Sequence, residues 1–187
     1  MTEETPRVRH PIRWVAGGLA LLTCIFAVIA ATRPNFEASV EASPLVGKTA
    51  PAFVTSTLDG KPLSLSEHRN RTVILNFFAS WCGPCQKEAP DLVAFEYQAK
   101  NAGLSVDLIS VVFNNSNAAA LHFVQTVGLT WPVAADPGGR IAASYGVTSP
   151  PTTVVIDSTG KVAEVLLGPS TPSQLLSIAA QVEVASR

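Results

Sequence analysis

Two cysteines three residues apart, Cys82 and Cys85, stand where an apolar strand gives way to a helix, and no other feature constrains this chain as tightly. Upstream, Val73-Ile74-Leu75-Asn76-Phe77-Phe78 is rich in β-branched and aromatic residues and follows the charged Arg69-Asn70-Arg71, the pattern of a buried strand. Downstream, Cys85, Ala89, Leu92, Phe95 and Ala99 recur at three- and four-residue steps, which predicts a helix with one apolar stripe running to about Asn101. A thiol at the start of such a helix meets unpaired backbone N–H groups and the positive end of the helix dipole, so its thiolate is stabilised. Cys82 is therefore expected to be the attacking sulfur. Cys85, one turn deeper on the same face, is placed to close a disulfide with it and to act as the resolving sulfur. Pro84 suits the first helical turn, where its missing N–H costs nothing, and with Gly83 it shapes the CxxC loop.

A zinc knuckle or a purely structural disulfide is the alternative. Structural zinc takes about four ligands. The one other cysteine is Cys24, inside an apolar segment, and His10, His68 and His122 show no ligand spacing. No metal or cofactor is expected.

The match to known proteins extends beyond the cysteines. Asn76-Phe77-Phe78-Ala79-Ser80-Trp81-Cys82-Gly83-Pro84-Cys85, then Glu88 and Pro90, and later Tyr145-Gly146-Val147 with Pro151-Thr152-Thr153, resemble the membrane-anchored ResA/TlpA type of thioredoxin-like protein over about Leu45 to Val184. The resemblance implies an α/β, thioredoxin-like fold: a mixed central sheet flanked by helices, with an N-terminal β-hairpin extension. It implies a redox-active Cys82–Cys85 disulfide, and it gives Glu88 an active-site role in proton transfer or pKa tuning. Spacing alone would equally allow Glu88 to be a solvated helix carboxylate. Pro151 matches the cis-proline that faces the CxxC and lines the substrate groove in these proteins; as a bare X-Pro bond it would read as trans. Trp81, Gly83, Pro84, Pro150 and Pro151 are the implied substrate-binding residues, with Trp81 expected to pack beside the thiols and shield them, or else to be an ordinary interface aromatic. Pro90 resembles the proline that kinks the CxxC helix, or else marks a helix boundary. Two departures stand out. Asn76 occupies the position where thioredoxin itself carries an acid, and Pro150 has no N–H to offer a bound substrate strand.

Ahead of this block the chain changes character. Trp14 to Thr32 contains no charged residue, a run long enough to cross a bilayer as a helix. Arg7, Arg9 and Arg13 precede it, so the positive-inside tendency keeps residues 1–13 in the cytoplasm and sends the rest of the chain outside. The reading is a retained transmembrane anchor or uncleaved signal over 14–32, a flexible linker over 33–44 carrying Pro34, Asn35 and Ser39, and a thioredoxin-like domain over 45–187. A cleaved signal peptide ending near Val28-Ile29-Ala30 is the alternative. Cys24 reads as a small membrane-buried hydrophobe, since Thr23 is atypical before a lipid-bearing cysteine. With 187 residues, 47% hydrophobic and a net charge of −1, the chain can bury one full core and offers no basic excess to attract nucleic acid.

The remaining elements follow from local patterns. Phe53 to Leu58 and Lys61 to Leu65 flank Asp59-Gly60 and read as an antiparallel hairpin, and Ser66 can cap a short turn through Arg69. Leu104 to Phe113 is a second apolar strand, which implies a right-handed βαβ unit around the CxxC helix. Asn117 to Val127 is a helix with Leu121, Val124 and Val127 inward; Pro132-Val133-Ala134 is extended, and Gly139 to Tyr145 is a short helix. Thr152 to Ile156 and Val162 to Leu167 form a second hairpin about Asp157 to Gly160. Thr171-Pro172-Ser173-Gln174 opens the last helix with a cap, a first-turn proline and a capping-box glutamine.

These observations lead to an extracytoplasmic, membrane-tethered thiol-disulfide oxidoreductase. The resemblance implies reduction of disulfides in protein substrates, namely the CxxCH haem-attachment cysteines of apocytochrome c, with electrons from a transmembrane CcdA- or DsbD-like donor. Gly83-Pro84 favours a reductant, since thioredoxin shares this dipeptide and sits near about −270 mV, against about −120 mV for the oxidant DsbA. The alternatives are a disulfide-forming oxidase of secreted proteins, or a redox-inactive binding module on the same fold. A peroxiredoxin is excluded because no Pro-x-x-x-Thr-x-x-Cys pattern leads into Cys82.

Overall fold

The computed structural model describes residues 43–186, the backbone of Ser39–Val40, and Cys24. The 14–32 anchor, Cys24 apart, and most of the linker lie outside these residues. Among the described residues no helix is long and apolar enough to cross a membrane.

Alternating side chains on one central strand organise the fold. Strand β4 (Thr72–Phe78) is buried at every position. Its residues Val73, Leu75 and Phe77 point into one core, with Ile109, Val111, Val154 and Ile156, while Ile74 points into a second core beneath two helices. The strand is followed by helix α1 (Gly83–Asn101) and by strand β5 (Val106–Val112), which pairs with β4 in parallel from Thr72↔Val106 to Phe78↔Val112. This is the expected βαβ unit, since parallel neighbours need a crossover and a helix supplies it. Next come helix α2 (Asn117–Val127), strand β6 (Val133–Ala134), a short helix α3 (Arg140–Ser144), strands β7 (Thr152–Ile156) and β8 (Val162–Leu167), and helix α4 (Pro172–Ala185). Strand β7 lies against the other edge of β4, antiparallel, and β8 pairs antiparallel with β7. Strand β1 (Ser39–Val40) adds antiparallel to β8, so the mixed sheet runs β1-β8-β7-β4-β5-β6. Two residues that the sequence reading places in the linker are thus paired in the sheet.

Strands β2 (Val54–Ser56) and β3 (Pro62–Ser64) form the separate hairpin extension. Gly60, at φ +83°, takes the left-handed turn position, and the hairpin docks on the sheet edge where Leu58 N–H donates to Val133 O and Ala135 N–H to Ser56 O. The turn after β3 differs from expectation. Its cap is Ser64, whose side chain accepts from Ser66 N–H, because the chain leaves the extended conformation one residue after Ser64, ahead of the predicted cap Ser66.

Local signals set the ends of the helices. Ser116 caps α2 at Ala119 N–H, and Gly128 ends it in the left-handed conformation. Its buried residue is Ala120, with half-buried Phe123 and the expected Val124 packed beside it; Leu121 and Val127 are half-buried too but outside that cluster, so the inner face is centred on Ala120. Thr171 caps α4 at Gln174 N–H, Pro172 opens it, and Leu175, Ile178 and Ala179 meet Leu92, Phe95 and Ala99 of α1. Burying a phenylalanine such as Phe95 contributes roughly 1.5–3 kcal/mol, so this helix pair fixes α1 against the sheet. Pro90 lies inside α1, which continues through it. The boundary reading of Pro90 is therefore excluded: packing against α4 and β4 outweighs the loss of one helical hydrogen bond.

Candidate active site

Cys82 is the N-cap of α1. Its backbone is extended, at φ −81° and ψ 108°, and its Sγ accepts the Cys85 N–H at 3.1 Å. The sulfur thus takes the place that a serine or aspartate oxygen fills at other helix starts, where free amides and the helix dipole favour a thiolate. Cys82 and Cys85 are joined in a disulfide, with Cα atoms 5.2 Å apart. Fractional exposure does not separate them, at 4% and 3%. Position does: Cys82 sits at the mouth of the helix beside exposed Trp81, Gly83 and Pro84, and its Sγ lies 3.5 Å from the carbonyl oxygen of Pro150. Cys85 is one turn inside.

The loop opposite the thiols carries the Pro150-Pro151 peptide in the cis form. Pro151 is buried and Pro150 half-buried, so the carbonyl of Pro150 is the polar group this loop presents to Cys82. Trp81 is an interface-type aromatic rather than a buried one. It is 57% exposed, and its indole N–H donates to the Asn114 carbonyl at 3.1 Å, which ties the ring to the loop after β5 and leaves much of it in solvent. An indole anchored by its one donor and otherwise exposed is suited to contact a partner.

Glu88 is not the solvated helix carboxylate that its spacing alone would allow. It is 1% exposed, on the same face of α1 as Cys85, Ala89 and Leu92, and faces the sheet. Alternation on β4 turns Asn76 to the side on which α1 lies, and its Nδ2 donates to Glu88 Oε2 at 3.2 Å and to Thr153 Oγ1 at 3.1 Å. Asn76 and Thr153 are register partners on β4 and β7, so the amide bridges the two strands and the helix. The backbone N–H of Ser170, between β8 and α4, donates to Glu88 Oε1 at 2.7 Å. Burial pushes the Glu88 carboxyl up to about 7, against the hydrogen bonds from Ser170 and Asn76 and with a small further push from Asp91. A carboxyl poised there can take and return a proton at neutral pH. No group of three or more metal-ligating side chains occurs among the described residues.

The structure therefore brings Cys82, Cys85, Pro150 and Pro151 together and sets Glu88 one turn below, while Trp81 is held to one side by Asn114. Sequence reasoning noted Asn76 only for the acid it lacks and passed over Ser170 altogether. Nothing local marks Ser170, which lies 82 residues from Glu88.

A dithiol at a helix start, a cis-proline loop across from it and a buried acid behind it, on this six-stranded mixed sheet, define a thioredoxin-fold thiol-disulfide oxidoreductase. The chain belongs to the Redoxin family, whose profile matches residues 45–182. Thiol-disulfide oxidoreductase ResA of Bacillus thuringiensis (strain Al Hakam) is 39% identical over 130 residues, covering 70% of this chain and 74% of that one. ResA of Bacillus subtilis (strain 168) is 34% identical over 129 residues, covering 69% and 71%. Among solved structures, a thiol:disulfide interchange protein of the thioredoxin family from Chlorobium tepidum TLS superposes with a TM-score of 0.62 at 30% identity, over 72% of this chain and 94% of that one.

Proposed function

We propose that the protein is a membrane-tethered reductase on the extracytoplasmic side that reduces the disulfide between the CxxCH cysteines of apocytochrome c. The observation that carries the reductive mechanism is the buried Glu88 behind Cys85. The Cys82 thiolate attacks one substrate sulfur, the substrate S–S bond breaks, and the released substrate thiolate takes up a proton. Cys85 then gives its proton to ionised Glu88 and attacks Cys82 Sγ. The second substrate sulfur leaves, the Cys82–Cys85 disulfide forms, and two electrons have passed to the substrate. Glu88 returns its proton when a transmembrane donor of the CcdA or DsbD type reduces the pair again. The choice of substrate, donor and compartment rests on the resemblance to ResA, on Gly83-Pro84, and on the arginines that precede the apolar run 14–32.

The test is to mix the reduced domain with an oxidised CxxCH peptide and follow the peptide thiols. Stoichiometric release of peptide thiol, with an equilibrium potential on the thioredoxin side of the scale, is expected. Oxidation of the dithiol peptide instead would identify a disulfide-forming oxidase. For the topology, a reporter active only outside the cytoplasm should work when fused after Arg187, and carbonate washing should leave the protein in the membrane pellet. A soluble mature protein starting near Ala31 would overturn the anchor.

A further inference from the structure

Ser170 brings two different groups to Glu88. Its N–H donates to Oε1, but its side chain is an anomaly: the residue is 1% exposed and its Oγ makes no hydrogen bond within the described residues. A buried hydroxyl without a partner is costly, of the order of the hydrogen bond it forgoes. The hydroxyl is carried by the residue whose own N–H sits 2.7 Å from Glu88 Oε1, and where it meets the carboxyl it favours the ionised form. The other partners of the carboxyl, the Ser170 N–H and the Asn76 amide NH2, can only donate. They suit the carboxylate and offer nothing to the proton of the neutral acid. A hydroxyl does both, accepting from a carboxylic acid and donating to a carboxylate after a rotation about one bond.

We propose that Ser170 is a positioning residue of the exchange reaction, whose hydroxyl turns between accepting from protonated Glu88 and donating to ionised Glu88 and so sets how readily Glu88 takes the proton of Cys85. The proposal rests on the proton-acceptor role of Glu88 described above. The groups that face Glu88 from the packed elements are neutral, Asn76 on β4, itself held by Thr153 of β7, and Ser170 ahead of α4; on its own helix the charged neighbour is Asp91, with Cys85 one turn back. No lysine, arginine or histidine in the described residues competes for this task by a hydrogen bond or ion pair to Glu88. A donor to the charged form outweighs an acceptor for the neutral form, since charge-assisted hydrogen bonds are the stronger ones. Loss of the hydroxyl therefore makes Glu88 harder to ionise.

The experiment compares wild type, Ser170→Ala, Ser170→Thr and Glu88→Gln. In the oxidised protein neither active-site cysteine titrates, so the carboxyl carbon of Glu88 can be followed by NMR against pH without interference. The wild-type midpoint should lie near 7 and rise by a fraction of a pH unit, roughly half, in Ser170→Ala, while Ser170→Thr, which keeps the hydroxyl, should stay near wild type. The second readout is single-turnover release of substrate from its mixed disulfide with Cys82. At pH 7 a half-unit rise takes Glu88 from about half to about one-quarter ionised, so release should slow about two-fold in Ser170→Ala and recover at higher pH. An unmoved Glu88 midpoint in Ser170→Ala would overturn the role of Ser170. If Glu88→Gln releases substrate with the wild-type rate and pH profile, the role of Glu88 fails and Ser170 falls with it; a slow Glu88→Gln beside an unaltered Ser170→Ala rejects the serine alone.

Discussion

Strand β4 has a surface polar cluster at its start and a single buried carboxyl toward its far end, and the two obey different physics. At its start, Asp107 Oδ2 and His68 Nδ1 are 2.7 Å apart, Arg71 Nε donates to Asp107 Oδ1 at 2.8 Å, and Arg71 also donates to the Val106 carbonyl. Arg71 is exposed and His68 and Asp107 are half-buried, so water still reaches the cluster. At its far end Glu88 stands alone among neutral donors, cut off from water by α1, α4 and the sheet. Solvated, mutually paired charges lose little if the pairing is broken, because water replaces the partner. A lone buried carboxyl has no such substitute, so its ionisation is coupled to its surroundings and can be put to use. The surface cluster locks two strand ends; the buried acid stores a proton.

The cysteines offer the sharpest way to break this contrast, since the site has a purpose only if they exchange. Cys82→Ser should abolish reduction of insulin, and Cys85→Ser should accumulate mixed disulfides with substrate, because only the second step is lost. Trapping by Cys82→Ser instead would reverse the two roles and leave Glu88 behind the wrong sulfur.

Next in size is the stability of the oxidised protein against pH. The folded-state value for Glu88 is raised above the unfolded one, from 4.5 to about 7, so the folded protein binds more protons across that interval. Glu88 then leaves stability intact below about pH 4.5 and withdraws it as pH rises toward 7. Glu88→Gln cannot ionise, so it should gain on wild type by about 3 kcal/mol between pH 4 and pH 8 in denaturant unfolding. A difference that stays constant with pH would mean that Glu88 titrates like a solvated acid.

Asn76→Asp sharpens the comparison by placing a second carboxyl 3.2 Å from the first, in the position where thioredoxin itself carries an acid. Two buried acids at that range cannot both ionise easily, so the pair should titrate in two widely separated steps and stability at neutral pH should fall by roughly 2 kcal/mol. A single step near pH 7, read from the two carboxyl resonances, would show that β4 and α1 do not hold the groups in contact. The smallest effect belongs to the surface. Asp107→Asn should cost about 1 kcal/mol or less, fade with added salt and leave exchange rates unchanged; a loss matching that of Asn76→Asp would erase the distinction between the two ends.

Much of this architecture was legible in the chain, and for a common reason. The βαβ unit, the two hairpins and the limits of α2 and α4 are written in alternation, three-to-four periodicity, caps and turn glycines, all of which act over a few residues. The Cys82–Cys85 pair is equally local. A trace of Glu88 was present as well, since it lies three residues after Cys85 on the stripe that Ala89 and Leu92 continue, but a solvated carboxylate can share that spacing.

Tertiary structure decided what the same residues could do. Glu88 is buried because α4 and the loop ahead of it close over α1, and its partners come from positions 12 and 82 residues away in the chain. Trp81 looks outward because the Asn114 carbonyl, 33 residues on, claims its N–H. Pro90 remains helical because α1 is packed along its whole inner face. Local pattern determines which backbone forms and which atoms it carries. Solvation, and with it the pKa of a carboxyl, depends on what distant segments bring over it, and that is settled only when the chain has folded.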